Sequence, residues 1–138
     1  MTELKIVFEP SSTDAPTVRD RLDFYNVGVT GDSTYYPVNL ILRSERNEVL
    51  GGLLGSIWGG WLHISILWVD PSERGKDWGT KLMDLAEAYA RERNCHSVHL
   101  DTHTFQARPF YEARGYEVFG TLDDYPKGHK RFYLKKKL

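Results

Sequence analysis

The chain has 138 residues, the size of one ordinary domain and short for two. Apolar residues make up 41% and charged residues 27%, with a formal net charge of −1. That excludes a disordered chain, and it excludes a nucleic-acid binder with a basic footprint. Its apolar runs are only a few residues long, far short of the roughly 20 that a membrane helix takes. The opening stretch Met1-Thr2-Glu3-Leu4-Lys5 lacks the basic-then-apolar shape of a signal peptide. One cysteine, Cys95, has no partner for an internal disulfide, so a reducing cytoplasm is expected, with neither membrane nor nucleic acid as a partner. No repeat, linker or low-complexity segment interrupts the chain. A single domain over 1–138 is expected.

Leu4 to Phe8 alternates apolar and polar residues and predicts a short first strand. After a turn at Pro10–Asp14, Val18, Leu22, Tyr25 and Val29 recur at helical spacing, which predicts a helix over 16–29 with Asp14 or Ser12 as its cap. A Gly-Asp-Ser turn at 31–33 follows. Val38–Ser44 and Val49–Trp58, separated by the polar stretch Glu45–Glu48, read as a hairpin, and Trp61–Val69 as the next strand. The clearest helix runs from Trp78 to Arg93. Leu82, Leu85, Ala86 and Tyr89 form its expected core stripe, with Lys81, Asp84, Glu87 and Arg91 outside, and Asn94 suits a left-handed cap. His96–Thr102 is a strand, Phe105–Ala113 a short helix, Tyr116–Phe119 and Phe132–Leu134 two more strands, and Lys135–Lys137 a solvated tail. The order β-α-β-β-β-α-β-α-β-β predicts an α/β fold, a mixed sheet with helices on both faces.

Pro71 to Thr80 joins a strand to the start of the best helix. Such a junction presents free backbone N–H groups and the positive end of a helix dipole, a seat for an anion. Gly75 and Gly79 let backbone come close to a phosphate, Arg74 and Lys76 add positive charge, and Thr80 adds a hydroxyl. Two glycines alone are equally compatible with a plain strand-to-helix turn.

The run from Leu67 to Leu82 resembles the acetyl-CoA-binding motif of the GNAT superfamily of N-acetyltransferases, whose core is Gln/Arg-x-x-Gly-x-Gly/Ala. Arg74, Asp77 and Gly79 stand in its three defined places. A second family segment, Ala-x-x-Phe/Leu-Tyr-Glu-x-x-Gly-Tyr/Phe, is matched by Ala107, Phe110, Tyr111, Glu112, Gly115 and Tyr116. The resemblance implies the GNAT fold with a split sheet, in which the strand ending at Val69 and the strand ending near Asp101 diverge to admit the pantetheine arm of acetyl-CoA. It implies backbone pairing of Leu67, Trp68 and Val69 with that arm. It also implies that amides from Arg74 through Gly75, Lys76, Asp77, Trp78 and Gly79 to Thr80 hold the pyrophosphate. Asp77 replaces the first motif glycine. A carboxylate there repels a diphosphate, but Asp is a good N-cap, and its side chain is expected to fold onto its own helix amides.

The implied activity is transfer of an acetyl group from acetyl-CoA, the cosubstrate, to a primary amine by direct attack, with no metal and no enzyme nucleophile. A small-molecule amine is the favoured acceptor, and either a monomer or a homodimer is expected. Tyr111 matches the family tyrosine near the CoA sulfur and is the candidate general acid, though it also reads as a packing aromatic. Thr104 stands where many relatives carry a CoA-contacting asparagine, with Gln106 as a longer substitute and Phe110 beside Tyr111. By the two-residue period Trp61, His63, Ser65, Leu67 and Val69 share one strand face. His63 has the titration range of a base and is the candidate, equally readable as a structural histidine. Asp101, His103 and a water chain are alternatives. Tyr25, Tyr35, Tyr36, Trp58 and Trp61, with Asp123 and Asp124, are candidates for an ammonium-holding pocket.

Three other readings compete. His99-x-Asp101 with His129 or His103 has metal-ligand residue types, but isolated HxD is a weak pattern. Cys95 as a nucleophile lacks an activating pattern beyond adjacent His96. A domain of the same fold that binds acyl-CoA without turnover would account for Asp77 and Ser65, the latter standing where many relatives carry a carboxylate.

Overall fold

The structure, a computed structural model, describes residues 3–138. The described residues up to Ser33 form one compact unit and Thr34–Leu138 a second. The first unit holds helix α1 (Ala15–Thr30), with Pro16 in its first turn. Gly31 ends it in a left-handed conformation, its N–H donating to the Val27 carbonyl. Asp14 occupies the N-cap without a side-chain bond to the helix. Residues 4–8 form no strand. A five-residue alternating pattern satisfies no backbone group by itself; only a ladder partner makes it a strand, and residue types do not specify one.

The second unit contains β1 (Tyr36–Arg43), β2 (Val49–Trp58), β3 (Trp61–Val69), a 3-10 turn at Pro71–Glu73 and α2 (Trp78–Glu92). It continues with β4 (Ser97–His103), α3 (Arg108–Ala113), β5 (Glu117–Asp123) and β6 (Lys130–Lys137). The six strands make one mixed sheet in the order β1-β2-β3-β4-β6-β5, in which only the β3–β4 pair is parallel. Leu53, Leu62, Val98, Leu100 and Leu134, one face of four neighbouring strands, pack with Met83, Ala86 and Ala90 of α2 and Tyr111 of α3 into a single core. Both of these helices therefore lie on the same face of the sheet. Each fully buried Leu or Met contributes roughly 1.5–3 kcal/mol.

Three expectations change here. The buried stripe of α2 is Leu82, Met83, Ala86, Glu87 and Ala90, while Leu85 is exposed. Glu87, expected in solvent, is 2% exposed. It accepts hydrogen bonds from Lys136 Nζ (2.7 Å), Arg114 Nη2 (3.0 Å) and Tyr116 Oη (2.9 Å). Its partners come from α3's end, the start of β5 and β6, so helical periodicity within α2 carries no sign of them. Lys135–Lys137 is the end of β6 and not a tail: it pairs with His99, Val98 and Ser97 of β4, and alternation turns Lys136 inward to Glu87.

The β2–β3 ladder carries a bulge. Gly55 pairs with Ile64 and Leu54 with Ile66, which leaves Ser65 as the extra residue of β3. Before it Leu62 and Ile64 face the core; after it Leu67 and Val69 do. The single face expected for Trp61, His63, Ser65, Leu67 and Val69 is thereby broken, because one extra residue exchanges the faces of everything that follows.

Candidate active site

The parallel β3–β4 ladder runs for four pairs, from Trp61–Ser97 to Ile64–Leu100, and then stops. Ser65 bulges at the next position of β3, the strand bends, and Ser65–Val69 parts from Asp101–His103. Between them opens a cleft of about 810 Å³ that continues over the loop before α2 and against α3. Leu67, Trp68 and Val69 form one wall, as the split-sheet expectation requires. Strand alternation aims the backbone of Leu67 and Val69 into the gap, whereas the Trp68 carbonyl lies against Gly51 of β2.

The end of the cleft is the loop Glu73–Thr80. Of the loop residues expected at the site, Arg74, Gly75, Asp77, Trp78, Gly79 and Thr80 line the cleft, and Lys76 does not. Lys76 is drawn to Glu73 at 3.0 Å. Arg74 braces the loop, its Nε donating to the Val69 carbonyl at 2.9 Å. Gly75 and Asp77 both sit in the left-handed region, at φ 78° and 65°. The amides of Gly75 to Thr80 find no acceptor among the described residues, so a row of donors faces the cleft at the positive end of α2. Asp77 does not cap α2 through its side chain. Side-chain capping belongs to an extended N-cap residue, and Asp77 is left-handed; the backbone angle that suits a glycine at this motif position is what Asp supplies.

From α3, Phe110 and Tyr111 line the cleft. Tyr111 is 6% exposed, and burial together with the charge of Asp101 pushes its phenol up to about 12. Gln106 also lines the cleft, but its Oε1 is engaged by the His103 amide (2.8 Å), His103 Nδ1 (2.9 Å) and Thr102 Oγ1 (3.2 Å). It thus locks the turn between β4 and α3. Thr104 is outside the lining: its hydroxyl meets His129 Nδ1 at 2.9 Å, tying that turn to the β5–β6 hairpin.

His63 is outside the lining as well. Its ring stacks on His99 with centroids 4.4 Å apart, on the face turned away from α2. Burial, with His63 adding to it and Asp101 opposing, holds His99 below the ordinary imidazole range. Tyr35, Tyr36, Trp58 and Trp61 do not border the cleft either. Tyr36 instead stacks under the Arg93 guanidinium at 4.7 Å. Tyr25 belongs to the first unit. Cys95 is buried, which raises its thiol and keeps it from acting as a thiolate. Among the described residues no cluster of three or more His, Cys, Asp or Glu could hold a metal, and no helix is long and apolar enough to cross a membrane.

Sequence reasoning missed Ile66, Glu73, Thr102, Phe105 and Ala107 as lining residues. Ile66 enters through the bulge, which no residue type announces. Thr102 and Ala107 enter because Gln106 folds the turn back onto β4, a bond legible only once both ends are placed.

The acetyltransferase (GNAT) family model matches residues 4–116. Acetyltransferase Atu2258 of Agrobacterium fabrum is 34% identical over 120 residues, 87% of this chain and 88% of that protein. The blasticidin-S acetyltransferase of Streptomyces morookaense is 42% identical over 95 residues, 68% of this chain and 70% of that protein. A crystal structure of an acetyltransferase from Bacillus cereus superposes with a TM-score of 0.85 at 30% identity, covering 97% of this chain and 98% of that one. With that parted sheet and those matches along its length, the chain belongs to the GNAT acetyltransferase family and is an acyl-transferring enzyme.

Proposed function

We propose that the enzyme moves the acetyl group of acetyl-CoA to a primary amine of a small molecule, by direct attack within a ternary complex. The observation that carries this reading is the unzipping of β3 from β4 directly above a loop of free amides. Leu67 offers its backbone and Val69 its N–H to the pantetheine amides, as an added strand would, while the Val69 carbonyl is held by Arg74. The amides of 75–80, with Arg74, suit a diphosphate, and a Cβ added at Gly79 would meet only the Phe110 ring, at ordinary contact distance. Acetyl-CoA supplies the thioester; the protein holds and aims it.

Tyr111 is the hydrogen-bond donor to the departing sulfur. A thiol ionises near ~8.5, well below a phenol at about 12, so Tyr111 stays neutral and supports the developing thiolate without surrendering its proton outright. An amide from the bulged stretch Ser65–Trp68 faces the charge that builds on the acyl oxygen. His63, two residues before the bulge, takes the amine's proton through water. The blasticidin-S relative supports a small-molecule acceptor, and buried, unpaired Cys95 fits a reducing cytoplasm. The reading holds for a monomer or a homodimer.

Calorimetry with coenzyme A, followed by thiol-release assays over an amine panel, tests the proposal. Tight binding with amine-dependent release is expected; indifference to coenzyme A would end it.

A further inference from the structure

We propose that the carboxylate of Asp101 receives the acceptor's ammonium group, with Arg131 as the residue that holds this carboxylate in position. The inference deepens the acetyl-transfer reading and rests on it.

Three carboxylates line the cleft: Glu73, Asp77 and Asp101. The first two belong to the loop at its diphosphate end, where Glu73 is already paired with Lys76. Asp101 alone stands where the strands part, directly after Leu100, the last β4 residue paired with β3. Leu100 and Thr102 on either side of it are 2% and 3% exposed and face the helices, so alternation puts Asp101 on the opposite face. An amine approaching from that face reaches a cosubstrate held in the gap without crossing the core.

On that face Arg131 of β6 holds Asp101, Nη2 to Oδ2 at 2.9 Å. The guanidinium is itself stacked on Tyr125 and Tyr133, at 4.8 and 5.3 Å from their ring centres. A guanidinium fixed this way orients the carboxylate as a rigid donor. It takes one oxygen and leaves Oδ1 without a partner among the described residues. Asp101 and Tyr111 also line the same cleft, and the Asp101 charge helps push up the Tyr111 phenol. An ammonium on Oδ1 therefore stands beside the group that serves the leaving sulfur.

The experiment measures steady-state acetylation of blasticidin S, streptothricin and n-hexylamine, with acetyl-CoA affinity followed separately by calorimetry. Asp101→Asn is expected to raise KM for the amine at least about tenfold, the scale of a lost hydrogen bond to a charged group. Acetyl-CoA affinity and melting temperature stay near native. Asp101→Glu restores part of the loss, which a packing role would not. Arg131→Gln separates the parameters: the unmasked carboxylate keeps KM no higher than native, and its lost aim lowers kcat. Should Asp101→Asn leave KM unchanged, or should both variants lose acetyl-CoA binding and stability together, the proposal is overturned. Turnover of none of the amines, with acetyl-CoA still bound, overturns it along with the acetyl-transfer reading.

Discussion

Tyr111 is kept neutral by its surroundings, and this sets what it can do. Burial first, and the Asp101 charge second, lift its phenol to about 12, so it is a donor throughout the working pH range and a reluctant acid at every point in it. Tyr111→Phe removes one hydroxyl from a packed site and leaves the ring contact with Tyr116, at 5.9 Å, in place. We expect kcat to fall about 10–100-fold, within the span of a single positioned donor or acid, with coenzyme A affinity unchanged by calorimetry. We also expect no basic limb assignable to Tyr111 in the native pH profile below about pH 11, because the phenol ionises only near 12; a limb near 9 that vanishes in the Phe variant would contradict this. Asp77 poses a second question at this scale. Its left-handed backbone costs roughly 1 kcal/mol that a glycine avoids, offset by glycine's greater unfolded-state freedom. Its carboxylate stands among amides meant for an anion, a repulsion of about 1 kcal/mol at 4 Å in water. Asp77→Gly is expected to tighten coenzyme A binding severalfold with stability within about 1 kcal/mol of native. Weaker binding in that variant would mean that the carboxylate serves the site.

The bulge in β3 shows how one element creates the cleft and why it was hard to foresee. At Gly55, opposite the bulge, a Cβ would run into the His63 carbonyl oxygen, which belongs to backbone and cannot swing aside. Gly55→Ala must therefore shift β3 or lose the register. Overpacking of this kind costs about 1–3 kcal/mol, read as a lower denaturation midpoint. Coenzyme A binding should weaken in step, because the same bend parts β3 from β4; an alanine variant with native midpoint and native affinity would show that the bend has another cause. What was legible beforehand follows from the same contrast. The loop 74–80 and the segment 107–116 were readable because each is continuous in sequence, its glycines, arginine and tyrosine standing at fixed intervals. Asn94 was readable too, since a left-handed cap is a property of the residue that occupies it, and it has φ 63°. Ser65 was not: a bulge depends on the register with β2, and an unbroken period of two put Leu67 on the face of His63. Residues 4–8 carry a strand's alternation without a ladder; the Thr104 hydroxyl turns to His129, and Gln106 borders the cleft with its Oε1 held by His103 and Thr102, bonds that no local pattern announces.

At the scale of the molecule, Glu87 joins the parts that border the cleft. It sits in α2, whose first turn carries the amide row, and it binds Arg114 at the end of α3, which carries Tyr111. It also binds Tyr116 just before β5 and Lys136 in β6. Burial alone would raise its carboxyl, but the hydrogen bonds from Lys136, Arg114 and Tyr116 outweigh that penalty and hold it below the usual glutamate value of 4.5. A carboxylate depressed in the folded state stabilises the fold above its unfolded pKa, and that contribution fades as pH falls through the lower, folded value. The enzyme's acid limb of stability should accordingly begin below about pH 4.5, with no loss from this group between pH 5 and 7. Glu87→Gln leaves Lys136 and Arg114 largely buried without their anion, although Arg114 keeps exposed Asp84 at 2.8 Å. Breaking one side of a buried ion cluster costs about 3–5 kcal/mol. Denaturation at pH 7, 5 and 3.5 reads both quantities at once. The deficit of the variant should be full at pH 7 and 5 and smaller at 3.5, where the unfolded-state carboxyl takes up its proton and the advantage of the charged native form shrinks. A deficit independent of pH would mean that packing, and not charge, is what Glu87 contributes to holding α2 and α3 around the cleft.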